Sequence, residues 1–390
     1  MMNAPPIQVP LLIPSVPDRS ALWPYLERID AARHYTNFGP LVKELEARLL
    51  QRFASHTGIP LHITTVSNAT LGIELALKAL NLPAGSLILV PALTFVATIT
   101  AIISAGHVPV VTDIDQNNWL LTPEIAAAAV KASGARAAVV VSTFGHPQNT
   151  RDWSAFQKQS GIRIVIDAAA AFGSQWLDAD DIPVVFSMHA TKSLPAGEGG
   201  FIVSGDASIN ALVCQMSNFG INLDPHAGVP VGYLSSAGTN AKLSEFHAAV
   251  GLASLDNWDR QALLRQHLYQ RYRTRLEQSC GPELRWQTGP APSAPTTFCI
   301  RLGSETRRAH LEMLCRAQGI ATRRWYQPLL HRHAPEIGKI VVLPPPHAEA
   351  VAADLVGLPF FIDMSDAQIE AVVAAVQRSV SPTPVLHHIT

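Results

Sequence analysis

Cysteine is scarce and scattered. The four in 390 residues, Cys214, Cys280, Cys299 and Cys315, form no CxxC pair, so their spacing predicts neither a zinc site nor a disulfide framework and fits a reducing cytoplasm. An excess of charge of either sign is also missing: 29 basic against 30 acidic side chains leave a formal net charge of -1. No global field therefore draws the chain to nucleic acid or to an anionic membrane surface, and any bound anion must be held by local geometry. Long apolar runs are absent as well. None is long enough to span a bilayer, and the opening MMNAPPIQVPLLIPSVPD is broken by prolines with no basic start, which argues against a signal peptide. What is present is apolar substance: 48% of the residues, enough for a sizeable core in one large domain and a smaller one.

Apolar residues recur at helical spacing from Pro40 to Phe53 and again from Thr70 to Leu80, with HITTVSNAT between them reading as a strand that runs into a turn. Short aliphatic runs then alternate with helical segments through SLILVP, VPVVTDI, ARAAVVVST, IRIVIDAA, VVFSMH and GGFIVSG. Such alternation predicts an α/β fold with a mostly parallel seven-stranded sheet sandwiched by helices, which binds ligands beyond the carboxyl ends of its strands. A long helical stretch is expected from Ser244 to about Glu277, followed by a Pro- and Gly-rich connection into a smaller α/β unit ending in DAQIEAVVAAVQRSV. The expected division is an N-terminal segment at 1–36, a large domain at 37–255, a small domain at 256–380 and a tail at 381–390.

Four features carry chemistry. Asp167 ends the run IRIVID, where a carboxylate can reach a ligand over the sheet edge, although most such acids are caps or solvated turn residues. Lys192 sits in the loop ATKSLPAGEGG, 25 positions after Asp167, room for one further strand and loop, so both side chains can converge on one pocket. Pyridoxal 5′-phosphate (PLP) needs this pair: a lysine to form a Schiff base and an acid to keep the pyridine nitrogen protonated. Asn68-Ala69-Thr70 stands at a strand-to-helix turn that can present backbone N–H groups to a phosphate, or simply cap the helix. Phe95 opens a helix after SLILVP, where its ring can cover a planar ligand or join the core.

In order along the chain, NFGPLVKELE, SNATLGIELALKAL, PALTFVATITAIISAG, DAAAAFG, FSMHATKSLPAGEGGFIV, GTNAKLSEFHAAVGLASLD and LPFFIDMSDAQIEAVVAAV resemble the DegT/StrS-type aminotransferases. These are PLP enzymes of fold type I that mostly act on nucleotide-linked keto-sugars. The resemblance implies Lys192 as the Schiff-base lysine, Asp167 as the partner of the pyridinium nitrogen, and Ala69, Thr70 and Ser187 as phosphate contacts. It also implies Phe95 stacked on the ring and Asn240 reaching the phosphate from a second subunit of a homodimer. Two positions depart from the pattern: Ala170 stands where a glutamine is usual, and Lys242 where an arginine is, so a bidentate anion contact becomes a point charge.

The implied activity is transfer of an amino group, with glutamate as donor, to a nucleotide-linked keto-sugar in amino-sugar biosynthesis, without a metal. Candidate substrate contacts are Arg323, Trp325, Tyr326 and His331 in RRWYQPLLHRH, with His189 and Lys242. An aminotransferase acting on a keto-cyclitol and a non-catalytic PLP- or sugar-binding regulator are the alternatives. The retained Lys192 and Asp167 speak against the second.

Overall fold

The computed structural model describes residues 8–333 and 338–381, so from residue 382 the expected tail lies outside the described residues. The seven apolar runs are strands: β1 (His62–Val66), β2 (Leu87–Pro91), β3 (Val108–Thr112), β4 (Ala137–Val141), β5 (Arg163–Asp167), β6 (Val184–Ser187) and β7 (Gly200–Ser204). Helices precede, join and follow them: α1 (Arg19–Ala32), α2 (Pro40–Ala54), α3 (Ala69–Ala79), α4 (Val96–Ser104), α5 (Pro123–Ser133), α6 (Thr150–Ser160), α7 (Ala207–Ser217) and α8 (Glu245–Asp256). Then come α9 (Trp258–Cys280), β8 (Phe298–Arg301), α10 (Glu305–Ala317), β9 (Val341–Val342), α11 (Pro346–Asp354), β10 (Leu355–Leu358) and α12 (Asp366–Val380).

The strands are apolar on both faces because both faces are covered. Phe186, Phe201, Ile164 and Val140 pack under α2, α5, α6 and α8. Val66, Val90, Val139, Val165 and Val185 pack under α3, α4, α7 and α11. The sheet order is β1-β7-β6-β5-β4-β2-β3-β9, with β7 antiparallel to both neighbours and the other pairings parallel. The eighth strand is an addition to the expected seven. Val341–Val342 is a two-residue extension beside β3, too short to show a periodicity of its own.

The single helix expected from Ser244 to Glu277 is two helices, with Asn257 between α8 and α9 at φ -109°, ψ 5°. A third core forms where Tyr272 of α9, Leu311 of α10 and Val376 of α12 enclose the antiparallel pair β8–β10. Val9 belongs to that core and bridges in parallel to Ile320. Later segments return to the large sheet: Thr288 N–H donates to Asn117 O (3.0 Å), Ser293 N–H to Ser174 Oγ (2.8 Å) and Leu330 N–H to Ala92 O (3.2 Å). Among the described residues no helix is long and apolar enough to cross a membrane.

Glu245, in the first turn of α8 and almost fully buried, ties two helices together. Its Oε2 and Oε1 accept the N–H groups of Leu41 and Val42, each at 2.9 Å. A carboxylate thereby satisfies two orphan donors at the start of α2, whose own N-cap, Gly39, has no side chain to offer. Glu245→Ala is expected to lower stability by about 2 kcal/mol, read as the shift in the midpoint of denaturant unfolding.

Candidate active site

The carboxyl edge of the sheet gathers the site. Ser187 at the end of β6 and Val66 at the end of β1 both pair with Gly200 at the start of β7, and Asp167 ends β5 two strands from β7. A Cβ on Gly200 would lie 2.8 Å from Ala69 N, 2.9 Å from Asn68 C and 2.9 Å from Phe186 O. Only glycine lets the first turn of α3 sit this close on the strand. Asn68 caps α3 through Leu71 N–H (2.9 Å), which leaves the N-terminal backbone at Ala69 and Thr70 as a ready anion cradle. The phosphate and capping readings of Asn68-Ala69-Thr70 are therefore compatible. Ser187, also buried, accepts from His189 N–H (3.2 Å).

Asp167 is 6% exposed. Its Oδ2 accepts from Thr98 Oγ1 (2.8 Å) and its Oδ1 from Ala169 N–H (3.1 Å), while Thr94 Oγ1 lies 3.0 Å from Thr98 Oγ1. Burial raises its pKa above the ordinary carboxylate range, against the two hydrogen bonds and the Lys192 charge, which lower it. Burial in turn pushes the Lys192 ammonium below its usual range, and the Asp167 charge opposes that shift. The two charges act on each other, yet no ion pair within 4.0 Å joins them among the described residues. An acid and an amine converge without neutralising each other in contact, beside a helix N-terminus. This donor set suits a planar pyridine cofactor with a phosphate.

Phe95 is 51% exposed and opens α4. Its ring lies 6.2 Å from that of Tyr326, which stacks on Phe144 at 5.2 Å and 9°. Phe144 occupies a left-handed conformation, φ 57°, in the turn after β4. Such strain persists in a non-glycine residue where packing over-determines it. The Tyr326 phenol is raised well above its usual range by burial and by the Cys299 and Asp167 charges, so it shares the field of the carboxylate.

A pocket of about 90 Å³ beside these rings is lined by Thr94, Phe95, Arg323, Arg324, Trp325, Tyr326 and His333. Arg323 lies 4.5 Å over the Trp325 ring. Thr94 links this pocket to Asp167 through Thr98.

Not every expected residue joins the cluster. His331 Nε2 is held by Glu349 Oε1 at 3.0 Å, beside Arg332, and does not line the pocket. His189 lies near Glu198 (3.7 Å) with Nδ1 2.9 Å from Thr191 Oγ1. Asn240 is exposed, and Lys242 Nζ donates to its Oδ1 (2.7 Å) while lying 4.3 Å over the Phe219 ring. Ala170 brings no polar group, and its carbonyl fills the space a Cβ on Gly145 would need.

A sheet carrying an acid, an amine and a helix N-terminus on its carboxyl edge defines a fold type I PLP enzyme. The chain belongs to the DegT/DnrJ/EryC1/StrS aminotransferase family, whose model matches residues 19–377. It is 31% identical over 388 residues to protein Rv3402c of Mycobacterium tuberculosis, covering 95% of this chain and 90% of that one. With the dTDP-4-amino-4,6-dideoxy-D-glucose transaminase of Shigella dysenteriae it is 27% identical, covering 94% and 97%. The crystal structure of DesI in the presence of its TDP-sugar product superposes with a TM-score of 0.81 at 30% identity, covering 97% and 94%. The protein is a PLP-dependent aminotransferase.

The raised Asp167 pKa has a consequence for stability without cofactor. A carboxyl titrating higher in the folded than in the unfolded chain destabilises the fold once pH rises past its unfolded value of about 3.9, with the full penalty above the folded pKa. In the cofactor-free protein at pH 8, Asp167→Asn is expected to unfold at the same or higher denaturant than wild type. That advantage should shrink as pH falls through the folded pKa toward 4, as measured by chemical denaturation across pH.

Proposed function

We propose that the enzyme moves an amino group from glutamate to a keto-sugar carried by a nucleotide, with Lys192 and Asp167 at the reacting centre of a homodimer. The observation that carries this reading is the Asp167–Lys192 pair, its acid buried, at the sheet edge that also bears the N-terminus of α3, with Thr94 and Thr98 linking the acid to a pocket lined by two arginines and, among the described residues, no acid. Bound PLP would supply an electron sink for the reaction at the carbon next to the transferred nitrogen. Asp167, fixed by Thr98 and Ala169, holds the proton on the pyridine nitrogen. Lys192, with its pKa lowered by burial, would tether the cofactor and serve as the base and acid that moves the proton at the carbon bearing the transferred nitrogen. Ala69 and Thr70 backbone groups and the Ser187 hydroxyl hold the phosphate, and Phe95 covers the ring.

Arg323 and Arg324 suit a diphosphate, because guanidinium groups bond two phosphate oxygens at once. The sugar nucleotides named for the Shigella enzyme and for DesI support the same class. A homodimer is supported by the exposed apolar residues Phe219, Leu223, Val231, Tyr233 and Leu234 that precede Asn240, a patch that a second copy would cover while bringing Asn240 to its partner's phosphate. Four free cysteines suit a reducing cytoplasm.

The protein purified with PLP is expected to be yellow and to convert glutamate and a dTDP-linked keto-sugar to 2-oxoglutarate and an amino sugar, followed by mass spectrometry. Lys192→Ala should lose the colour and slow turnover by at least about 10²–10⁴-fold; retention of both would sink the proposal. A keto-cyclitol turned over in preference to the keto-sugar would reassign the substrate. Arg323→Ala with Arg324→Ala should raise KM for the nucleotide sugar about tenfold or more, while the half-reaction with glutamate is unchanged. Sedimentation equilibrium should give twice the chain mass.

A further inference from the structure

Far along the chain from the arginine-lined cleft, a second pocket of about 280 Å³ opens where α1, α8 and α9 meet the loop that follows Lys192. Its chemistry is out of balance. Arg265 of α9 lines it and is only 5% exposed, yet no carboxylate lies within 4.0 Å of it and its Nε has no hydrogen-bond partner among the described residues. Burial lowers its pKa to about 10, so the guanidinium remains charged near neutral pH. A buried cation without a counter-charge is expensive, by several kcal/mol as a rule.

The surroundings add positive character. Arg260, in the first turn of the same helix, also lines the pocket, as does Asn257, which begins α9 without making a side-chain cap. Asn257 is at once the C-cap of α8 and the N-cap of α9, so the two helix dipoles oppose each other there and the positive character rests on the two guanidinium groups. Among the described residues the one acid on the wall, Asp18, is already engaged, its Oδ1 accepting from Ser20 Oγ (2.6 Å) and Ala21 N–H (3.0 Å). Asp259, in the first turn of α9, is paired outward with Arg52 at 2.6 Å. Two arginines against one occupied carboxylate leave a net positive cavity.

We propose that this pocket is a binding site for a small oxyanion, a phosphate or a carboxylate, held by Arg265 with Arg260, distinct from the cofactor's phosphate cradle. The inference does not rest on the proposed substrate, since the residues that build it are separate from Lys192, Asp167 and the Arg323–Arg324 cleft. Its floor is Ser193 and Pro195, immediately after Lys192, and Pro195 O accepts from Ser254 Oγ at 2.5 Å. Occupancy would stiffen the loop that carries the reacting amine.

The test uses the holoenzyme with PLP in saturating amount, so that the cofactor's own phosphate cradle is filled. Thermal unfolding is followed while inorganic phosphate, glutarate or chloride is added at matched ionic strength. Phosphate, glutarate or both should raise Tm by about 2 °C beyond chloride at tenfold over half-saturation, and the better of the two identifies the oxyanion class. Arg265→Met should abolish that increment and, by removing an unpaired buried charge, unfold no earlier than wild type in anion-free buffer. Arg260→Ala, at an exposed position, should weaken the half-saturating concentration several-fold and serves even if the Arg265 variant does not fold. Equal responses to all three salts in wild type, or a full increment kept in both variants, would overturn the site.

Discussion

The burial of Asp167 sets the terms for the rest of the active site. A carboxylate removed from water is stable only if something replaces its hydration, and here Thr98 and the Ala169 N–H do so from the protein side while Lys192 contributes charge without contact. This arrangement leaves the acid oriented but not quenched. Had Lys192 closed onto it as a short ion pair, both groups would be neutralised and there would be no space between them for a flat cofactor. The separation is a property of the backbone: Asp167 is fixed by the ladder of β5 with β4, and Lys192 by the turn in which its N–H donates to His189 O at 2.8 Å.

The parallel sheet explains why these groups come from distant parts of the sequence. Right-handed crossovers return each strand in the same direction, so the loops after β2, β4, β5 and β6 open on one edge. The antiparallel β7 is the exception that completes the cradle. It enters the sheet at that same edge, and having glycine at its first position lets the N-terminus of α3 lie against it. The proposed phosphate cradle at Ala69 and Thr70 therefore depends on the absence of a side chain at Gly200.

Much of the fold was legible because apolar runs bounded by turn residues leave little choice when both faces are buried. All seven predicted strands are present, and the helices expected at Pro40–Phe53 and Thr70–Leu80 lie within a residue of the observed ones. The break at Asn257 was hidden because the apolar period continues across it, and β9 because two residues carry no pattern. Asp167 and Lys192 were visible through chemistry and spacing. Thr98 was overlooked although it lies in the first turn of α4, four residues after Thr94 in the loop before that helix, whose hydroxyl bonds it. Arg324 and His333 went unselected beside the residues that were chosen, and His331 was chosen without a view of Glu349, 18 residues ahead. Long-range partners decide such cases, and a single sequence does not display them.

The chain returns repeatedly from the small core to the large sheet, and this decides where the arginine-lined pocket sits. Residues 285–301 anchor both ways: Gln287 Nε2 donates to Asn118 O (2.7 Å), and Arg301, buried, pairs with Asp354 (2.6 Å) and reaches Gln116 O (3.4 Å). The segment bearing Arg323 to Tyr326 begins on β10, where Arg323 bridges to Gly357, and ends with Leu330 bonded to Ala92 after β2. Trp325 packs where a Cβ on Gly357 would otherwise stand. The arginine-lined pocket is thus suspended between two cores, with Phe95 and Thr94 on one wall and the β10 side on the other. A small shift of one core against the other would change the distance from the arginines to Asp167 while the Asp167–Thr98 bond, confined to the large sheet, stays as it is. The Asp167–Thr98 centre and the arginine-lined wall are thus built on different cores, the first on the large sheet and the second between the large sheet and β10.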